Sequence, residues 1–221
     1  MTGVTDSTLE LAHWRRLTAE MYARARETAE VDPRQAWEQL RRTREDMFRT
    51  HPQSPLGPGT RARFGGLPYF PYDPAWRFIL PISPIRPEEQ ASVTFQLPEG
   101  TLQARRFATV SLPLPRKAHL MLFWLEGYGG GLFLPFKDLT SGTSTYGGGR
   151  YLYDSIKGAD LGAGPDRIVL DFNFSYNPSC AYSPAWVCPL APRENVLPVA
   201  VEAGERASPD PGSADLGSSE T

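Results

Sequence analysis

Ala118-His119-Leu120-Met121-Leu122-Phe123-Trp124-Leu125, then Glu126-Gly127-Tyr128-Gly129-Gly130-Gly131, then Leu132-Phe133-Leu134-Pro135-Phe136 is the stretch that sets the fold class. Its first eight residues are apolar on both faces of an extended chain, which is the pattern of a central strand rather than of a half-solvated one. The glycines that follow supply positive φ for a tight turn, and a second apolar run completes a hairpin. His119 lies on the face of Met121, Phe123 and Leu125, where a lone histidine reads as a hydrogen-bonded core residue. Working outward, strands are expected at residues 77–82, 91–97, 101–112, 118–125, 132–136, 150–153, 167–174 and 197–202, with a further turn at Glu99-Gly100. Many short strands with regular turn signals predict an α+β chain that is mainly β, an antiparallel barrel or sandwich.

The first 50 residues read differently. Ser7-Thr8-Leu9-Glu10 fits a capping box, and Trp14, Leu17, Met21 and Ala25 recur at helical spacing after it. Asp32-Pro33 supplies an N-cap and a first helical residue for a second helix carrying Trp37, Leu40, Met47 and Phe48. His51-Pro52 and Ser54-Pro55 end it. Arginines are frequent here, but acids interleave with them, so the face reads as solvated ion pairs and not as a nucleic-acid patch. His13 reads as an exposed residue without a chemical role, and His51 as a cap for a neighbouring backbone group. The division is a helical pair at 1–50, packed on the core as an accessory, a β-rich domain at 51–205, and a disordered tail at 206–221 made mostly of Ser, Pro, Gly, Asp and Glu.

A net charge of −2 with 22% charged residues gives no electrostatic footprint for nucleic acid or an anionic membrane. No apolar run reaches transmembrane length, and the N-terminus lacks a signal-peptide pattern, so a cytoplasmic protein is expected. The sequence assigns no cofactor. Cys180 and Cys188 lack further ligands at zinc spacing, so no metal site is expected. They read as free, packed structural thiols, with a reactive thiol or redox pair as the alternative.

The chemistry concentrates between residues 137 and 195. Arg150 follows three glycines and a hydroxyl-rich segment, Lys137 to Tyr146. If it points inward it needs a carboxylate, and Asp138 and Asp171 are the candidates for a bidentate pair that leaves one donor facing a pocket. Asp171 and Asn173 share the strand face opposite Ile168, Leu170, Phe172 and Phe174, a face that is either wet or lines a polar cavity. Two functions follow. One is a small-molecule-binding pocket protein, with Arg150, Tyr146, Asp171, Asn173 and Asn177 around an anionic or carbonyl-bearing ligand. The other is a small-molecule enzyme, with Asp138 or Asp171 as acid/base, Tyr146 or Tyr176 as donor, and Cys180 as nucleophile.

The same residues carry a resemblance. Phe136-Lys137-Asp138, Thr145-Tyr146, Gly149-Arg150-Tyr151-Leu152, Asp171-Phe172-Asn173, Tyr176-Asn177-Pro178, Cys180-Ala181-Tyr182, Cys188-Pro189 and Glu194-Asn195 are similar to the signature of DUF1684, a family of uncharacterised, mostly bacterial proteins. Phe48 to Leu56 and Gly66-Leu67 with Tyr69-Phe70 extend it, from about Trp37 to Glu205. The chain departs from the pattern at Tyr153, where the family has an acid, with Asp154 next. The resemblance implies no established activity.

Overall fold

The computed structural model describes residues 4–97 and 100–208. Helix α1 spans Val4–Ala29 and α2 spans Pro33–Thr50. Asp32 caps α2 as its pattern predicts, accepting from Gln35 N at 3.0 Å, with Pro33 first in the helix. The helix stops at the residue before His51-Pro52, and His51 Nδ1 accepts from Gln53 N at 3.1 Å. Ser7 is not an N-cap, because α1 already runs from Val4. Its hydroxyl and the Glu10 carboxylate instead accept from the Gln53 side chain, which ties α1 to the loop after α2. His13, though exposed, is not idle: its Nδ1 lies 3.2 Å from His51 Nε2. A one-turn helix, α3, covers Pro58–Ala62.

Among the described residues eight strands follow: β1 (Arg77–Pro81), β2 (Ser83–Pro84), β3 (Ser92–Leu97), β4 (Gly100–Leu112), β5 (Ala118–Leu125), β6 (Gly131–Phe136), β7 (Arg150–Asp154) and β8 (Arg167–Asp171). All named strand pairs are antiparallel. The order β2-β4-β5-β6-β7, with β3 also paired to β4, makes one sheet, and β1-β8 makes a second. The larger sheet is open, so the architecture is a sandwich-like α+β arrangement and not a closed barrel. Glu99 lies outside the described residues.

β5 is central, as its two-faced pattern requires. Leu120 and Leu122 enter a large core, while Phe123 and Leu125 enter a smaller one with Phe95, Phe133 and Tyr151. His119 is the exception: it sits exposed at the end of that second face. The large core joins both sheets and both helices in a single cluster, Met21, Trp37 and Leu40 packing with Leu120, Leu134, Leu170 and Phe172. The helical pair therefore completes the core instead of decorating it. Phe136 and Phe172 meet edge to face at 5.2 Å where the two sheets face each other. Pro68 to Trp76 lies over one end of this core, with Trp37 against Tyr69 and Tyr72.

Two expected strands differ. The one expected at 167–174 ends at Asp171, because the Asp171 carboxylate takes the Asn173 N–H and turns the chain into a single 3₁₀ turn over Phe172–Phe174. Residues 197–202 form no strand. Pro198 lacks a donor, Val201 N is held by Asp138 Oδ1 at 3.2 Å, and the Val201 carbonyl is taken by Arg150. Side chains consume the backbone groups that a ladder would use. Among the described residues no helix is long and apolar enough to cross a membrane.

Candidate functional site

Arg150 opens β7 immediately after Gly149, whose φ of 94° only glycine adopts freely; a Cβ there would meet Phe136 O at 2.5 Å. The turn thus drops Arg150 inward, over the Phe136 ring at 5.1 Å. Its Nη2 donates to Asp138 Oδ2 at 2.8 Å and Val201 O at 2.9 Å, and its Nη1 donates to the carbonyls of Ala203 and Glu205. The expected bidentate pair is not formed: a single carboxylate oxygen is engaged, because backbone carbonyls occupy the rest of the fork. No Nη donor is left for a pocket, and Nε is buried without a partner. Burial lowers the guanidinium pKa, and Asp138 pulls against that. Asp138 Oδ1 accepts from Thr140 N, Thr140 Oγ1 and Val201 N, while Thr140 Oγ1 meets Thr145 Oγ1 at 2.9 Å. The hydroxyls around Arg150 are spent on holding this knot.

Asp171 does not join it. Its Oδ1 accepts from Asn173 N and Nδ2, and its Oδ2 lies 3.5 Å from Arg77 Nε without a well-formed hydrogen bond. Burial raises its pKa to about 6, against the Asn173 hydrogen bonds and Arg77. Asn173 clamps the chain, taking Asp73 N at 2.9 Å and giving Nδ2 to Asp73 O at 2.8 Å. The second face of β8 is thus buried. Asp171 borders a separate cleft of about 520 Å³ with Arg26, Glu30, Arg77 and Phe174.

Tyr146, Asn177 and Cys180 do come together. They line an open groove of about 640 Å³ with Thr143, Thr145 and Tyr182. The Tyr146 hydroxyl lies 3.5 Å from Cys180 Sγ, a contact in which either group can donate; burial, then this contact, raises the Tyr146 pKa. Both cysteines are free and partly buried.

A fourth arrangement was missed by sequence reasoning. Arg44 on α2 donates from Nη2 to Glu205 Oε2 at 3.1 Å and lies between the rings of Phe48 and Tyr176, 4.7 and 5.0 Å from their centres. Glu205 is wholly buried; Tyr182 donates to Oε1 and Asn177 N donates to Oε2 at 3.0 Å. Burial raises the Glu205 pKa, and Arg44 with the Asn177 N–H pulls it back. For Arg44, burial acts downward, but Glu205 and the phenols Tyr69, Tyr22 and Tyr176 more than offset it, so the guanidinium is firmly charged. Beside this pair lies a cavity of about 80 Å³ between the helical pair and the sheet, whose walls include Tyr22, Tyr151, Asp154, Tyr176 and Cys188. Asn177 and Tyr182 border both this cavity and the outer groove. Arg44 Nε, the neighbouring Tyr69 hydroxyl and Asn177 Oδ1 are buried without a well-formed hydrogen bond. Spacing could have exposed Arg44: it lies four residues after Leu40 and three before Met47, on the apolar stripe of α2.

Residues 62–206 match the model of a family described as a protein of unknown function, DUF1684. The chain belongs to the DUF1684 family. A solved relative is the solution NMR structure of the uncharacterised protein from gene locus rrnAC0354 of Haloarcula marismortui. It is 36% identical, with a TM-score of 0.56, over 81% of this chain and 96% of that one. No curated protein matches.

The DUF1684 match begins later than the resemblance traced from Trp37, so Arg44 lies outside it and Glu205 inside. Within the matched segment the motif residues have visible structural work. Asn195 bonds the Met121 N–H and carbonyl and the Pro135 carbonyl, pinning β5 to β6, and Glu194 pairs with Arg106 Nε at 2.7 Å.

Proposed function

We propose that this DUF1684 protein binds a small molecule bearing an anionic or carbonyl group in the cavity between the helical pair and the sheet. Arg44 takes the part that the sequence reading gave to Arg150, and Tyr22, Tyr151 and Tyr176 supply walls. One observation carries the reading: Arg44 and Asn177 both border this cavity, and Arg44 Nε and Asn177 Oδ1 are buried without a well-formed hydrogen bond. Buried polar groups are nearly always satisfied, so such a pair calls for an occupant. At about 80 Å³ the space is several times the roughly 10–15 Å³ that one water needs. The ligand should offer an oxygen acceptor to Arg44 and an N–H or O–H to Asn177, as an amide or hydroxy acid does. The lack of basic excess favours a small partner over nucleic acid, and free thiols accord with a reducing compartment such as the cytoplasm.

The enzymatic alternative asks one place to hold an acid/base, a donor and a nucleophile. Asp138 and Asp171 are engaged in separate buried networks, which leaves the Tyr146–Cys180 contact as its support.

Native mass spectrometry of protein purified from its host is the test. A retained mass should appear in the wild type and be lost in Arg44→Lys, which keeps the charge beside Glu205 but not the planar fork. A ligand retained equally by the variant, or none retained and no small carboxylate or amide raising the melting temperature, counts against the reading.

A further inference from the structure

The β1–β8 ribbon turns its two faces to different surroundings. Phe78 and Leu80, with Ile168 and Leu170, pack into the large core. By the period of two, Arg77 and Ile79 share the other face, and in the register they stand opposite Asp171 and Val169. All four line the open cleft of about 520 Å³, which α1 bounds with Arg26 and the loop after it with Glu30. Arg26 is fixed at this wall. Its Nη1 donates to Asp160 O at 2.6 Å, and Gly162 leaves room for its stem, since a Cβ there would stand 3.4 Å from Arg26 Cδ. Among the described residues the Arg77 guanidinium forms no hydrogen bond, and the Glu30 carboxylate forms neither a hydrogen bond nor an ion pair.

We propose that this cleft is a second binding site, for a free α-amino acid with an apolar side chain. Arg77 and Arg26 take the carboxylate, Asp171 and Glu30 take the ammonium, and Ile79, Leu161 and Val169 receive the side chain. Two guanidiniums and two carboxylates line one cleft, and a zwitterion answers both signs at once. A simple anion or cation leaves one pair unanswered. Asp171 is 1% exposed; Asn173 occupies its Oδ1, while its Oδ2 is buried without a hydrogen bond. Such an oxygen is costly to leave unmet, and an N–H donor offsets that cost. Ile79, an apolar side chain 48% exposed on the same face, is what a hydrophobic ligand group would cover.

Arg77 couples the two ends of the ligand. Its Nε stands 3.5 Å from Asp171 Oδ2 without closing the pair. Because no hydrogen bond anchors the guanidinium, a ligand carboxylate can draw the Arg77 fork toward the open side of the cleft. The ammonium, borne on the adjacent carbon, then follows onto Oδ2. Burial pushes the Asp171 pKa up to about 6, so at neutral pH the carboxylate is mostly ionised and accepts from an ammonium. No residue lines both this cleft and the cavity beside Arg44, so neither site rests on the other.

The test titrates the full chain near neutral pH with L-leucine and two analogues, read by saturation-transfer NMR. Isocaproate keeps the carboxylate of leucine without its ammonium, and isoamylamine keeps the ammonium without the carboxylate. The wild type should bind L-leucine with a Kd of about 1 mM or lower, and each analogue about tenfold more weakly. Asp171→Asn should weaken leucine about tenfold and leave isocaproate unchanged, so the preference between them disappears. Arg77→Gln should weaken both leucine and isocaproate. Arg86→Gln removes the same charge at an exposed residue outside the cleft and should bind as the wild type does. Circular dichroism checks that each variant folds, and the analogue series on the wild type stands without any variant. The proposal is overturned if the wild type binds none of L-leucine, L-methionine and L-phenylalanine, or if either analogue binds as tightly as leucine. Leucine binding that survives both Asp171→Asn and Arg77→Gln also overturns it, by placing the ligand elsewhere, and leaves the reading of the Arg44 cavity as it was.

Discussion

Arg150 and Arg44 each meet one buried carboxylate, in opposite surroundings. The Arg150 side chain is 1% exposed and its Nη donors meet Asp138 and three backbone carbonyls; no space adjoins it in the cavities described. Arg44 is 13% exposed, gives its ion pair through one Nη, and borders a cavity; the Nε of each arginine is buried without a partner, so the adjoining space and the Nη acceptors are what differ. One strip of chain serves both: residues 201–205 turn their carbonyls to Arg150 and the Glu205 side chain to Arg44. A guanidinium with every Nη donor answered by protein is architecture. One left partly unanswered beside a space is a candidate for recognition. Burial, which makes both arginines look important, does not distinguish them; the list of acceptors does.

The largest test is Arg150→Ala, expected to cost about 3–5 kcal/mol because it strands Asp138 and three carbonyls. A urea melt reads it, and a loss under about 1 kcal/mol would dissolve the contrast. Gly204→Ala attacks the same cage through the backbone. Gly204 has φ of +78°, and its new Cβ would strike the Ser175 hydroxyl and approach Phe172 O at 2.6 Å. Left-handed strain and crowding together predict a loss of about 2–4 kcal/mol. Arg44→Ala should cost less, about 1–3 kcal/mol, since Glu205 keeps the Asn177 N–H and the Tyr182 hydroxyl and the cavity can hydrate it. Equal losses for the two arginines would refute the comparison.

Asp171 sharpens it from the acid side, as a buried carboxylate whose arginine lies at 3.5 Å without a good hydrogen bond. Its folded pKa, about 6, stands above an unfolded value of about 3.9. Between those values the folded state holds more protons than the unfolded one. Stability is therefore full below about pH 4 and declines as pH rises through about 6, by on the order of 2 kcal/mol. Asp171→Asn should flatten that slope and match or exceed the wild type at pH 7. A wild-type curve that rises across this window would show that Arg77 holds the carboxylate ionised.

The legible part of this molecule was the part written in periodicity. The two-faced run at β5, the glycine turn before β6 and the Asp32-Pro33 start of α2 announce themselves, because each rests on local sterics or on a repeat. Residues 197–202 misled because apolar alternation at Leu197, Val199 and Val201 cannot show that Asp138 and Arg150 will claim the backbone. Arg150 with Asp138 was readable as an inward pair, but its fourfold partnership comes from a segment some 50 residues later, and no spacing rule reaches that far. Glu205 stayed hidden for the same reason.

The smallest expected effect concerns where the strip that serves both arginines ends. Composition placed the tail at 206, yet Arg206 N donates to Pro68 O at 2.8 Å, its carbonyl accepts from Asn177 Nδ2 at 2.8 Å, and Ala207 N donates to Ser144 O at 3.0 Å. Arg206 also lies over the Phe70 ring at 5.3 Å. A chain ending at Glu205 would lose these bonds and would set a terminal carboxylate against Asn177 and the Arg150 cage. It should melt several degrees lower, about 2–4 °C per kcal/mol lost at this size. A chain ending at Ser208 keeps every one of them. Residues 209–221 lie outside the described residues; by sequence they are Ser, Pro, Gly, Asp, Glu and Thr221 with two apolar side chains, Ala214 and Leu216, too few to anchor a segment. Its melting temperature should stay within roughly a degree or two of the full chain. Should the longer truncation also prove silent, the Arg206 and Ala207 bonds add nothing to the strip, and Arg150 and Glu205 alone hold it. Should the shorter one prove costly, part of 209–221 supports the strip, and the contrast between a closed and an open arginine would have to be drawn again with that support included.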